Sequence, residues 1–237
     1  MGHNLSRKNL KTTIKNKLMR KHLITMALMM PMMVCAQWRV GVNVGADRNH
    51  FIIDKQFQTD YKFSDRWGVT MGVMGQYDVN DWLGIRAELD WTQKNYRHHR
   101  QLLKKMDYKY TNNYLQLPVM ASFGFGGEKV RGFCNLGCYG GYWLNSNRKG
   151  VDTNSFTDKS YDFTEKVEFN SERDQRWDFG FVAGAGVEYR FAEHWAAQAE
   201  LRYYYSTTSV QKPDYSGFKD PRYNSTLAIQ AGVWYCF

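Results

Sequence analysis

The sequence has little proline, few cysteines and no long apolar run beyond its first 36 residues. Four prolines and four cysteines occur among 237 residues. After residue 36 only Cys134, Cys138 and Cys236 remain, an odd number that argues against a disulfide framework, and their spacing is not that of a zinc site. No later run approaches the roughly 20 apolar residues of a membrane-spanning helix. Disulfide-rich and helical membrane proteins are therefore excluded, and no metal or cofactor is predicted.

Acidic residues are absent before Asp47, whereas seven basic residues precede the first apolar stretch. The whole chain carries a formal charge of +9, which by itself would favour a nucleic-acid or membrane-surface partner. Removing these seven from the 32 Lys and Arg leaves 25 against 23 Asp and Glu. The rest of the chain is nearly neutral, so nucleic acid is not expected as a partner.

The first 36 residues have the organisation of a secretory signal peptide. A basic stretch is followed by the apolar residues 23–34 and by a small residue, Ala36, before the expected cleavage point. We predict a signal peptide over residues 1–36 and a mature domain over residues 37–237, with translation starting at Met1 or Met19. Lipidation at Cys35 is the alternative, although Val34 is a poor neighbour for it.

Aromatic residues make up 16% of the chain, yet the mean hydropathy is −0.61. The two values agree because apolar and polar residues alternate with period two, as in strands with two different faces. In the clearest run, Trp177, Phe179 and Phe181 alternate with Asp178 and Gly180. Eight such runs are present, at residues 38–48, 67–78, 83–96, 113–125, 130–144, 177–191, 195–207 and 226–237.

Short and long connections alternate between these runs. The short connections are residues 78–81, 126–129 and 192–194. The long connections are residues 49–66, 97–112, 145–176 and 208–225. This pattern, with aromatic residues at strand ends, is typical of outer-membrane barrels. We predict an all-β fold, an eight-stranded antiparallel up-and-down transmembrane β-barrel with both termini in the periplasm. A soluble sandwich or lipocalin-like barrel, with the apolar face inside, is the alternative.

Two segments carry a family resemblance. Residues 227–237, including Tyr235 and Phe237, look like the C-terminal assembly signal that the barrel-assembly machinery reads. Residues 113–119, Asn-Tyr-Leu-Gln-Leu-Pro-Val, resemble a strand motif of the PorT family, within the outer membrane protein β-barrel domain group of Bacteroidota. Residues 134–142 are similar to the next strand there, although Cys138 stands where Pro is common. The resemblance implies a Gram-negative outer membrane and supplies no catalytic residues; one family member is linked to type IX secretion and gliding.

Charged residues on the predicted inner face form the first candidate site. An eight-stranded barrel is narrow enough to be filled by its own side chains. We expect a salt-bridge network that plugs the interior; a narrow ion or proton path is the alternative. The residues are Arg86, Glu88, Asp90, Glu188, Arg190, Glu200 and Arg202.

The long connections form the second candidate site. A cationic loop is predicted to bind phosphates of outer-membrane lipid and lipopolysaccharide. One alternative is a solvated loop without a ligand, and a further alternative is that His98 and His99 are metal ligands. Alternation at residues 161–169 predicts a hairpin arm that could recruit a protein partner by edge pairing. The basic residues of the loop are Arg97, His98, His99, Arg100, Lys104 and Lys105, with Lys109 close by.

Taken together, these features predict a non-enzymatic outer-membrane protein, a membrane anchor with structural or partner-binding outer loops. An enzyme that modifies lipid A is the first alternative, with His50, Ser206 and Asp47 at similar heights near the rim. Narrow transport of an ion or solute is the second alternative.

Overall fold

The computed structural model describes residues 37–53, 61–100, 106–153, 157, 159–212 and 221–237. The predicted signal peptide, Lys104 and Lys105 lie outside these residues. No helix in the described part is long and apolar enough to cross a membrane. The strands are β1 (Trp38–Ile53), β2 (Tyr61–Asp78), β3 (Leu83–Gln93), β4 (Tyr96–Arg100), β5 (Met106–Gly126), β6 (Val130–Thr153), β7 (Ser160–Lys166), β8 (Trp177–Ala192), β9 (Trp195–Ser206) and β10 (Arg222–Cys236).

The strands form a closed antiparallel ring. β1 pairs with β10 from Arg39 opposite Cys236 to Ile53 opposite Arg222. The neighbours then run β10, β9, β8, β6, β5, β3, β2 and back to β1. β4 continues the line of β3 between β2 and β5, and β7 lies beside the far end of β6. The prediction of an eight-stranded barrel is confirmed, with β4 and β7 as extensions.

The two faces of the ring have the reverse of a soluble protein's polarity. On the outside, Val44 is 58% exposed and Leu201 53% exposed. Inside, Arg202 and Asn135 are 0% exposed. Because a soluble barrel would bury its apolar face, this distribution excludes the soluble alternative. Closure pairs the backbone groups, as a sheet in lipid requires.

The three short turns lie where the sequence predicts them. In the first, Asn80 Oδ1 accepts hydrogen bonds from the backbone N–H groups of Trp82 and Leu83 at 3.1 and 2.8 Å. In the second, Gly126 has a φ of 121°, a conformation that favours glycine. The opposite end of the barrel carries the long connections.

The predicted long loops are wrong in extent, because strands occupy much of them. β5 has 21 residues and β6 has 24, about twice the 9–11 that cross a membrane. Beyond the barrel these strands stay paired with β4 and β7. We call this extension the outer arm. It consists of β4, residues 106–112 of β5, residues 145–153 of β6, and β7.

Candidate functional site

Arg202 lies at the centre of the ion-pair network inside the barrel. Its guanidinium donates to both carboxylate oxygens of Glu88 at 2.8 and 2.9 Å and to both of Glu200 at 2.9 and 2.7 Å. Glycines on neighbouring strands leave room for these groups: a Cβ at Gly184 would clash with the Glu200 carboxylate. The network therefore depends on the space above a glycine backbone as well as on ion pairing.

Two further arginines extend the network towards the short turns. Arg86 lies 2.5 Å from Glu88 and 3.5 Å from Glu200. Arg39 bridges Asp78 at 2.9 Å and Glu188 at 2.7 Å. The cavity beside Arg39 and Arg86 amounts to 10 Å³, which is at or below the volume needed for one water molecule.

A second ion pair, between Lys94 and Asp178, lies nearer the outer arm, and neither residue is among those predicted for the network. The Lys94 ammonium is 2.7 Å from the Asp178 carboxylate, and both side chains are buried. Ser206 donates a 2.5 Å hydrogen bond to Asp178. Both residues fall on the polar face of predicted strands, so the alternation of side chains along a strand was sufficient to place them inside. Their mutual contact was not predictable in this way, because the two residues are 84 positions apart in the sequence.

Two of the predicted network residues behave differently from the others. Arg190 is exposed at the turn end of β8, where the strand continues past the barrel interior, so the prediction that it joins the interior network is wrong. Asp90 is buried and accepts a hydrogen bond from Asn43 at 3.1 Å; the same amide donates to Glu88 at 3.0 Å. Among the described residues, Asp90 is thus hydrogen-bonded by an amide and not by an arginine.

The inward face of the outer arm is an aromatic stack. The His98 ring lies parallel to that of Phe63, with centroids 4.4 Å apart, and Tyr96 stacks on Tyr110 at 4.6 Å. Burial, reinforced by repulsion from Arg222, lowers the pKa of His98 to about 4. His98 is therefore a neutral packing residue at pH 7, and the prediction of a loop there is wrong because residues 96–100 form β4.

The outward face of the outer arm is basic. Arg97 lies opposite Lys109 across the β4–β5 pair, and Lys109 lies opposite Lys149 across β5–β6. Asp107 accepts two hydrogen bonds from Arg97, at 2.6 and 2.7 Å, and this contact lowers the pKa of the Asp107 carboxyl. Because side chains alternate along a strand, Arg97 and His99 face away from the stack that holds His98. The predicted cationic cluster is thus divided between two faces.

A cup of about 490 Å³ opens at the mouth above the interior network. Tyr96, Tyr110 and Trp143 line it, together with Arg148. The Ser146 hydroxyl and the Trp143 indole N–H are buried there, and neither has a hydrogen-bond partner in the described part of the chain. The cup has the size of a small-ligand site and offers both ring faces and polar groups.

The three residues of the predicted enzyme site are not brought together. His50 lies on the outward face of β1 with its Nδ1 2.7 Å from Asp65, whereas Ser206 and Asp47 point into the barrel. Ser225 is the cross-strand neighbour of His50, and its hydroxyl oxygen lies 2.6 Å from the Tyr203 hydroxyl. A His–Asp pair and a serine on the adjacent strand therefore lie at the outer rim, and the acid and the serine are Asp65 and Ser225 and not the predicted Asp47 and Ser206.

The strand of the predicted assembly signal closes the ring. Tyr235 packs edge-on against Trp195 at 5.2 Å and stacks with the His194 ring at 5.7 Å. Phe237 is 54% exposed and its N–H donates to the Trp38 carbonyl at 3.2 Å. Recognition of this segment by the assembly machinery stays a prediction.

A closed antiparallel ring with an apolar outside and a charged inside defines a transmembrane β-barrel of the outer-membrane class. The chain belongs to the outer membrane protein beta-barrel domain family, whose model matches residues 23–237. This membership indicates the outer membrane of a Gram-negative bacterium; the narrower PorT relationship stays a prediction.

Several solved structures are similar to this chain at low sequence identity. The outer membrane protein OprG from Pseudomonas aeruginosa is similar at 13% identity and a TM-score of 0.52, over 85% of this chain and 96% of that one. Neisserial surface protein A matches at 14% identity and a TM-score of 0.47, over 85% and 97% of the two chains. Ail of Yersinia pestis matches at 15% and 0.41, over 84% and 99%. No curated protein matches the sequence.

Proposed function

We propose that the protein is a non-enzymatic outer-membrane anchor that holds the outer arm above the cell surface for a protein partner. Both chain ends then lie in the periplasm. The observation that carries this proposal is strand length: β5 and β6 have 21 and 24 residues, far more than a membrane crossing needs. The surplus residues build an ordered sheet on the side of the long connections, which is the extracellular side in barrels of this class.

The interior network supports an anchor more than a pore. Arg202, Arg86 and Glu88 are at most 2% exposed and bridge strands from opposite sides of the ring. An open ion path would need water beside these groups. Refolded protein in planar bilayers should therefore show no steady conductance, and reproducible open-channel steps would favour the alternative of narrow transport.

The edge of β7 is the part of the arm best suited to a protein partner. β7 pairs with β6 on one side and ends the order of neighbouring strands. Tyr161 on this strand is 52% exposed. An exposed edge offers backbone donors and acceptors to which an extended segment of another protein can add as a further strand.

Site-specific photocrosslinking tests this role. A photoreactive phenylalanine analogue at Tyr161 should give a discrete adduct on intact cells, whereas the same analogue at Val130, at the turn end, should not. The Val167 N–H donates to the Ser146 carbonyl of β6 at 2.9 Å, and N–H groups alternate in direction along a strand, so the Thr164 N–H faces the free edge. Thr164→Pro removes this donor and should abolish the Tyr161 adduct while the heat-dependent SDS-PAGE mobility shift of the closed barrel persists. An adduct unaffected by Thr164→Pro would argue against edge pairing, and no adduct at all would argue against a partner at the arm.

Ester chemistry on outer-leaflet lipid is the second candidate, and the rim contact favours it. Asp65 lies 2.7 Å from the His50 ring, as an orienting carboxylate would, and Ser225 lies opposite His50 on the next strand. No hydrogen bond between His50 and Ser225 occurs in the described residues, so the serine is not activated in this arrangement. Mass spectrometry of lipid A should be identical with wild-type protein and with His50→Ala; a changed acyl pattern would contradict the anchor role.

A further inference from the structure

The outward face of the outer arm changes its chemistry in three steps with increasing height. Along β5, Leu117 and Leu115 are apolar and exposed to the membrane. Asn113 follows on the same face, then Thr111, and then Lys109. Because alternate residues of a strand share a face, this order is the order of environments that an outside molecule would meet. It runs from apolar through neutral polar to cationic.

The neutral step is a ladder of amides across three strands. Gln93, Asn113 and Asn145 are cross-strand partners. The Gln93 amide donates to Asn113 at 3.2 Å, and Asn113 donates to Asn145 at 2.7 Å. Such a ladder presents further amide groups to the outside, and these can hydrogen-bond uncharged hydroxyl groups.

The cationic step places like charges opposite each other. Lys109 and Lys149 are direct partners in the β5–β6 ladder, and directly opposed like charges destabilise a sheet. Asp107 and Asp162 line the same recess as the two lysines, but among the described residues neither ammonium lies within ion-pair distance of a carboxylate. Asp107 is already bound by Arg97 through two contacts. An anion bound between the two lysines would remove this repulsion.

The height of the lysine pair limits which anion fits. Lys109 lies six residues beyond Leu115, which at ~3.4 Å per residue and a tilt of about 40° puts it roughly 15 Å above the apolar belt. The headgroup layer of a phospholipid bilayer is only about 5–8 Å thick on each side. A phospholipid phosphate is therefore too low, whereas a headgroup of several sugars reaches this level.

We propose that Lys109 and Lys149 bind an anionic sugar in the headgroup of an outer-leaflet glycolipid. The acyl chains lie on the apolar belt, neutral sugar hydroxyls contact the amide ladder, and a sugar phosphate lies between the two ammonium groups. This site differs from the predicted cationic loop, since it spans β5 and β6 and leaves His98 out. The proposal rests on the extracellular orientation of the outer arm given above.

Binding to purified lipopolysaccharide with a phosphorylated core tests the site. The protein is refolded in neutral-lipid nanodiscs, and the double variant Lys109→Gln, Lys149→Gln is compared with wild type. The control, Lys129→Gln with Arg190→Gln, removes two exposed positive charges at the turn end. We expect the arm variant to bind roughly tenfold more weakly at low salt, as for the loss of charge-assisted contacts worth about 1.4 kcal/mol, and the control to bind like wild type.

Three further results would overturn the proposal. The first is equal binding of lipopolysaccharide by wild type and the arm variant. The second is unchanged binding after the core phosphates are removed with hydrogen fluoride. The third is binding of phosphatidylglycerol as tight as that of lipopolysaccharide. A second measurement holds even without ligand: in nanodiscs free of glycolipid, Lys149→Gln should make the arm more resistant to protease, because it removes the repulsion. Reduced resistance would contradict the repulsion argument. Protease access to the arm on intact cells reports orientation separately, so a wrong orientation is distinguishable from a wrong site.

Discussion

The barrel interior and the outer arm are built on the same strands, yet they hold their charges in different ways. Inside, Arg202 and Glu88 are 0% exposed in their side chains and are joined to further groups on all sides. In the arm, the side chains of Arg97 and Asp107 are 43% and 22% exposed and form a single pair. Burial makes the loss of one interior partner costly, whereas exposed pairs contribute little. The barrel therefore provides the stability, and the arm can change its surface without losing the fold.

Arg202→Met gives the largest expected effect on this contrast. It leaves Glu88 and Glu200 buried with fewer donors, so the free energy of unfolding should fall by about 3–5 kcal/mol. Arg97→Met, which breaks the exposed pair with Asp107, should cost at most about 1 kcal/mol. Urea unfolding in detergent micelles, followed by tryptophan fluorescence, measures both. Equal losses would mean that the arm and the interior do not differ as described.

A second comparison of the barrel and the arm replaces one apolar residue on the outward face of each by arginine. Leu201 lies in the apolar belt and Val151 in the arm. Leu201→Arg should cost about 2–4 kcal/mol in a lipid bilayer, because the charge enters the hydrocarbon layer. Val151→Arg should change the free energy of unfolding by less than about 0.5 kcal/mol. A similar cost at both positions would mean that the arm also lies within the membrane.

The sequence predicts the barrel much better than the arm, for a physical reason. In the membrane, lipid on one side and a packed interior on the other impose strict alternation, so parity assigns Arg86, Glu88 and Arg202 correctly to the inside. Beyond the membrane the outward face meets water and the inward face packs the Tyr and His rings of the arm. The contrast between apolar and polar positions is then weaker, and alternation distinguishes a strand from a loop less clearly. Residues 97–100 were accordingly predicted to be a loop, although they form most of β4.

The odd or even position of a residue along a strand gives the face to which its side chain points. It gives neither the height of the side chain along the barrel axis nor the residue that it contacts. Arg190 occupies an interior-facing position by alternation, but it lies at the turn end of β8 and is exposed. Lys94, just after β3, and Asp178 on β8 meet across the interior, although β5 and β6 separate the two strands around the ring. The serine nearest to His50 could not be identified from strand positions in the sequence. Ser206 and Ser225 both lie near the outer rim, but they occupy different faces of the sheet. Such contacts depend on the register between strands, which a single sequence does not specify.

The smallest expected effect is a pH dependence confined to the arm. The pKa of His98 is about 4 in the folded arm, below the usual 6.5 of histidine, so the opened arm takes up the proton first as the pH falls. The arm is then fully stable above about pH 6.5 and loses stability progressively towards pH 4. Hydrogen-exchange protection of residues 96–100 should fall between pH 7 and pH 5, after correction for intrinsic exchange rates. His98→Phe keeps a ring against Phe63 and removes the titration, so protection should no longer respond to pH. An unchanged response in this variant would assign the effect to another group, and the aromatic stack would then be insensitive to protonation of His98.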